Sequence, residues 1–159
     1  MLVYARTGDS YTAFVVLNSD KGVSKGKKFS KMGMRGSPTG EIYFDNVELP
    51  EDRVLGKYGD GKNIILSGLN AERVILSFIF IGLSRNAIEA SLKYAIERKQ
   101  FGKSISEFEL VEEKLANMYT RYEASKLLCE KALRAIQHDR MNAIDSAASI
   151  LFTAESAEY

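Results

Sequence analysis

Much of what this 159-residue chain can be is bounded by what it lacks: it has one cysteine, one histidine, two prolines and no tryptophan. A single thiol, Cys129, excludes an internal disulfide framework and suits a reducing compartment. It falls in the helical run ASKLLCEKAL, where a structural role is expected. The single histidine, His138, sits in the polar segment IQHDRMN with no His/Cys/carboxylate set at ligand spacing around it. That reads as an exposed helix end, and no metal site is expected. Charge of one sign is not in excess either. With a formal net charge of +1, the overall field gives no support to binding nucleic acid or an anionic membrane. Long apolar runs are missing as well: VILSFIFIGL (Val74 to Leu83) is about half of the roughly 20 residues a spanning helix needs. Glu72, Arg73 and Arg85 bracket it, so the expectation is a buried helix of a soluble protein with no membrane span. The opening MLVYARTGDSYTAF has no basic region followed by an apolar core and cleavage site, and is not a signal peptide. The glycine-bearing KYGDGK (Lys57 to Lys62) is too short for a Walker phosphate loop.

What is present is 45% hydrophobic and 27% charged, a globular balance, and it is written in two grammars. Residues 1–58 read as strands. LVYAR (Leu2 to Arg6) and TAFVVL (Thr12 to Leu17) are β-branched and aromatic, with Gly8-Asp9-Ser10 as a turn between them. EIYFDNV (Glu41 to Val47) alternates polar and apolar before Pro50. Between them GVSKGKKFSKMGMRGSPTG holds five glycines and one proline, so turns and loop are expected there. This half reads as an antiparallel β-domain entered midway.

Residues 59–159 take up the helical period. The segment from Lys62 to about Gln100 has no proline; Asp60 or Gly61 is the candidate cap, and Arg98 and Lys99 suit its last turn. A second helix is expected from about Ser106, with Glu109 as capping-box partner, to about His138. It places Phe108, Val111, Leu115, Met118, Tyr122 and Leu128 near helical spacing, the pattern of an amphipathic bundle helix. Asn142 or a neighbour begins a third helix, whose small residues suit close packing. The chain stops inside that helix, and an internal portion of a longer protein is expected. The fold class is therefore α+β, a partial antiparallel β-domain followed by a partial long-helix bundle.

One residue breaks the pattern. At steps of three and four the first helix shows Ile65, Leu69, Glu72, Leu76, Ile79 and Leu83, so a carboxylate stands in an otherwise aliphatic stripe. On a buried face its charged form is disfavoured by desolvation, which is what a general base working near neutral pH requires. A structural ion pair with another helix explains the same residue, and so does a kink that lets it reach solvent. Arg73 lies one step, about 100°, round the helix, better placed to meet an anionic ligand group than to pair with Glu72. Ser67, Gly68 and Asn70 thin the packing at this turn.

Three runs together carry a resemblance. KMGMRGSPTGEIYFDNVELPEDRVLG (Lys31 to Gly56), then GLNAER (Gly68 to Arg73), then YAIERKQFGK (Tyr94 to Lys103) resemble the acyl-CoA dehydrogenases in order and spacing. LSGLNAER and LANMYTRYEASK are nearest to the isovaleryl branch of that family. The resemblance covers essentially the whole chain, as the later middle β-domain and the first part of the C-terminal helical domain. It implies an FAD enzyme that removes the α-proton and β-hydride of an acyl-CoA thioester to leave a trans-2-enoyl-CoA. It also implies electron-transferring flavoprotein as electron acceptor, a homotetramer, and a mitochondrial matrix or a bacterial or archaeal cytoplasm.

Residue by residue, the resemblance puts the catalytic base at Glu72. Most of the family carries that glutamate near the far C-terminus, whereas the isovaleryl and long-chain branches place it on this helix. Arg73 matches an arginine that helps hold the CoA moiety, with Ala71 beside the base. Asn70 stands where aspartate is usual, and Asn63 where the isovaleryl branch has an aromatic substrate contact. Arg98 matches an arginine that reaches the FAD pyrophosphate of a neighbouring subunit, with Phe101 beside it. Glu109 replaces a common FAD-contacting glutamine; a carboxylate there repels phosphate, so the contact is lost or Glu109 caps its helix. Further flavin-binding segments of the family lie outside these 159 residues, so the chain alone is expected to be inactive. Two rivals remain open: an acyl-CoA oxidase that lets oxygen reoxidise the flavin, and a non-catalytic helical assembly module.

Overall fold

The computed structural model describes residues 1–138 and 143–159. They form two compact units, Met1–Leu66 and Ser67–Tyr159.

In the first unit, β1 (Leu2–Thr7) and β2 (Ser10–Val15) pair antiparallel around Gly8-Asp9. Gly8 takes φ +62° at the first central position, where a two-residue hairpin demands a left-handed residue. Ala13 and Val16 are buried on β2 and just beyond it, together with Thr12. The Thr12 hydroxyl shares a 2.6 Å hydrogen bond with Thr7 Oγ1 and accepts one from the Gly59 amide at 3.0 Å.

β3 (Val23–Lys28) pairs antiparallel with β4 (Gly40–Phe44). β3 thus occupies part of the stretch expected to be loop. Its composition is poor for a strand, but β4 offers a partner, and a Cβ at Gly26 would stand 3.2 Å from Glu41 and Tyr43 side-chain atoms. The expected strand to Val47 stops at Phe44 because Asn46 turns left-handed, φ +48°. β5 (Val54–Leu55) extends the first sheet to the order β1-β2-β5. Helix α1 (Gly61–Glu97) then begins. Its start presses on β2 so closely that a Cβ at Gly61 would lie 2.7 Å from the Tyr11 carbonyl oxygen. The Asp60 carbonyl accepts the Asn63 and Ile64 amides, and its carboxylate accepts Asn63 Nδ2 at 2.6 Å, so Asp60 serves as the cap.

In the second unit α1 ends at Glu97, so Arg98 and Lys99 fall beyond its last turn. β6 (Lys99–Gln100) and β7 (Lys103–Ser104) pair across Phe101-Gly102. A single 3-10 turn, Ile105–Glu107, leads into α2 (Glu109–Gln137), and α3 is Ala143–Glu158. The capping box forms two residues earlier than expected and serves the 3-10 turn: Ser104 pairs with Glu107, whose Oε1 accepts the Ser104 amide at 3.0 Å. The N-cap of α2 is Phe108, with no side-chain bond. His138 is the exposed C-cap of α2. The expected helix start at Asn142 lies outside the described residues.

The stripe expected to be buried on α1 is not the one that packs. Val74, Ser77, Ser84, Ile88 and Ala95 are buried, with Ile81 and Ser91 half-buried between them. That is a strict three-four alternation, a heptad seam. Glu72, Leu76, Ile79 and Leu83 are exposed. Because α1 is apolar on most sides, its periodicity admits either phase. Ser77 on this seam meets buried residues of both other helices, Ser149 on α3 and Cys129 on α2. Ser77 Oγ donates to the Arg73 carbonyl at 2.8 Å and lies 3.4 Å from Ser149 Oγ. Burial pushes the Cys129 thiol up, partly offset by a hydrogen bond with Ser77, as suits an inert structural cysteine.

By length and composition α1 is long and apolar enough to cross a membrane, with an 18-residue window of mean hydropathy 1.8. Only 11% of that window is buried, against the buried core helix expected from sequence. Ser77 and Ser84 are nonetheless buried on the packed side, and Ser77 meets both other helices there.

Candidate active site and cofactor surface

The residues singled out in the sequence fall into two groups. The first lies on α1. Glu72 projects from the exposed side, beside the exposed apolar residues Ile75, Leu76 and Ile79. Among the described residues it has neither a hydrogen bond nor an ion pair. The expected burial of Glu72 is corrected: this face of α1 is exposed, and among the described residues no cation from another helix pairs with the carboxylate. A charge on an apolar, open helix face is free to meet a ligand.

Arg73 is half-buried and its Nη1 donates to Asn70 Oδ1 at 3.2 Å. One turn of helix brings these side chains together, so Asn70 orients the guanidinium. An aspartate at 70 would hold it more tightly and neutralise it; the neutral amide leaves the cation its full charge. Ala71 is half-buried between them. Asn63 lies in the first unit, exposed, with its amide engaged by Asp60.

The second group lies at the β6–β7 hairpin. Phe101 (φ +50°) and Gly102 (φ +82°) occupy both central positions of the turn, the pattern of a type I′ hairpin. A bulky residue in that conformation is a genuine outlier. Phe101 is also 94% exposed, its ring lying edge-to-face with Phe108 at 6.3 Å between centroids. Arg98 is exposed at the hairpin base, held through its backbone: its amide donates to the Tyr94 carbonyl (2.8 Å) and its carbonyl accepts from Ile105 (2.9 Å). Its guanidinium has no partner among the described residues.

This donor set suits a phosphate with an apolar group beside it, since a free guanidinium forks onto phosphate oxygens and Phe101 offers an open ring. Lys103 joins it, a residue that sequence reasoning passed over. Its Nζ lies 4.4 Å over the Phe108 ring and donates to the Glu107 carbonyl at 2.8 Å. The signal was its place in the run RKQFGK. Glu109 is exposed in the first turn of α2 and does not serve as its side-chain cap. The favourable placement of an acid near a helix N-terminus accounts for it. No group of three or more His, Cys, Asp or Glu that could hold a metal occurs among the described residues.

The chain belongs to the acyl-CoA dehydrogenase family: the description "Acyl-CoA dehydrogenase, C-terminal domain" matches residues 59–159. Among particular relatives, the mitochondrial isovaleryl-CoA dehydrogenase of Oryza sativa subsp. japonica is 36% identical over 162 residues. That match covers 99% of this chain and 40% of the relative, so the chain spans about two-fifths of its length. Of solved structures, butyryl-CoA dehydrogenase from Megasphaera elsdenii has a TM-score of 0.93 at 29% identity, over 98% of this chain and 42% of its own. PigA with FAD and proline has a TM-score of 0.92 at 28% identity, over 98% and 42%.

Proposed function

We propose that the protein to which this chain contributes dehydrogenates an acyl-CoA thioester between its α and β carbons, with Glu72 as the base. The observation that carries the reading is the unpaired carboxylate of Glu72 on an exposed apolar face of α1, one residue from an arginine oriented by Asn70. An acyl chain laid on Ile75, Leu76 and Ile79 would bury apolar surface. In doing so it would withdraw water from Glu72, disfavouring the charged form and making the carboxylate readier to accept the α-proton. The electron pair of that C–H bond becomes the second bond of the enoyl product. Arg73 offers a charge-assisted contact to an anionic part of the ligand.

Bound FAD would supply the acceptor for the β-hydride, and PigA, of the same fold, has been solved with FAD. Arg98 would grip phosphate and Phe101 would cover an apolar part of the cofactor. The Arg98 guanidinium has no hydrogen bond or ion pair among the described residues, which fits a contact made to a neighbouring subunit in a homotetramer. Onward transfer to electron-transferring flavoprotein, a location in a mitochondrial matrix or bacterial or archaeal cytoplasm, and a division into a β-domain over 1–58 and a helical domain over 59–159 belong to the same reading. The test is direct. The full-length protein, supplied with short branched and straight acyl-CoA thioesters and a dye acceptor, should bleach its flavin and release a trans-2-enoyl-CoA. No flavin reduction by any such thioester would refute the proposal.

A further inference from the structure

The first unit carries a run of positive charge. From Lys21 to Gly40 there are six cations (Lys21, Lys25, Lys27, Lys28, Lys31 and Arg35) and no aspartate or glutamate, although the whole chain is only +1. None of the six takes part in an ion pair among the described residues. Closely spaced like charges repel; Lys25, Lys27 and Lys28 fall on β3, and Lys31 and Arg35 in the loop that follows it.

Three of these cations converge. Lys28, Lys31 and Arg35 line an open cleft of ≈ 460 Å³ that includes Gly36 and no carboxylate. Lys31 Nζ donates to the Ser37 carbonyl at 2.6 Å, and Arg35 Nε donates to the Lys31 carbonyl at 3.0 Å. Those bonds hold the loop and both cationic heads in place. They leave the Arg35 Nη groups and the Lys28 ammonium with no partner among the described residues. The nearest acid in sequence, Glu41 on β4, is engaged at 2.7 Å by the Tyr43 hydroxyl.

We infer that this cleft is an anion site that takes the phosphate groups of a small ligand. An arginine fork with two flanking ammonium groups matches phosphate oxygens in charge and geometry. The cleft has the volume of a small-molecule site. The inference stands apart from the dehydrogenase reading, since it rests on residues of the first unit alone.

The probe is pyrophosphate, titrated into the full-length protein at low ionic strength and followed by calorimetry or phosphorus-31 NMR. Saturable binding is expected, weakening as salt rises. Arg35→Ala and Lys28→Ala should each reduce affinity by about tenfold or more. Arg35→Lys should retain part of it. Should Arg35→Ala loosen the loop, Lys28→Ala decides, because the Lys28 side chain makes no bond that the fold uses. Displacement of pyrophosphate by adenosine 3′,5′-bisphosphate would point to the nucleotide end of CoA as the source of the phosphate. Displacement by inorganic phosphate alone would point to the free anion. No binding up to about 10 mM, or binding that both alanine variants leave intact, would overturn the inference.

Discussion

Replacing Glu72 by glutamine in the full-length enzyme separates proton transfer from everything else the residue could do. The amide keeps the shape and removes the proton-accepting oxygen. Because Glu72 is exposed and unpaired among the described residues, the fold should hardly notice, a change within about 0.5 kcal/mol. A structural ion pair would predict the opposite, a loss of roughly 3 to 5 kcal/mol from the stranded cation. General-base catalysis contributes on the order of 10² to 10⁴-fold, which is about 2.7 to 5.4 kcal/mol of transition-state stabilisation. The assay is single-turnover bleaching of the flavin by bound acyl-CoA, with the melting temperature measured on the same sample. Near-complete loss of bleaching at unchanged Tm, with the acyl-CoA still bound, is the expected result. Normal bleaching in Glu72→Gln would refute the reasoning and place the base elsewhere in the protein. Early melting with a normal rate in the folded fraction would refute it from the other side.

Three further outcomes follow from the same geometry. Arg98→Ala should weaken FAD retention by about 1.5 to 3 kcal/mol while leaving the rate of flavin-saturated enzyme nearly unchanged; equilibrium dialysis of the flavin checks this, and an unaltered affinity would reduce Arg98 to a surface cation. Phe101→Asn should raise stability by about 1 kcal/mol, because asparagine tolerates the left-handed turn that a phenyl side chain resists, yet should weaken FAD binding. A variant both more stable and equally tight for FAD would deny Phe101 a cofactor role. Ser125→Ala should also stabilise, by about 1 kcal/mol, since the Ser125 hydroxyl is buried with no hydrogen-bond partner among the described residues; a lower melting temperature would show that the hydroxyl is bonded after all.

Sequence by itself determined which chemistry is available and where the two grammars change. The proline-free apolar run made α1 a helix, Gly8-Asp9 turned the first hairpin, and Glu72 stood out because a carboxylate among aliphatic residues cannot be hidden from a periodicity count. Motif order alone was enough to point to the family. Which side of α1 is packed was not legible, because a helix apolar all round offers two equivalent seams. The contacts of Ser77 with Ser149 on α3 and Cys129 on α2, distant in sequence, mark the seam that packs. β3 was equally hidden: its lysines and Gly26 argue against a strand, and only pairing with β4, more than ten residues on, overrides them. The left-handed Phe101 could not be foreseen either, since local preference opposes it and the β6–β7 pairing imposes it. Local preferences can be read from neighbours along the chain, whereas these three features were settled by partners that only tertiary packing brings close.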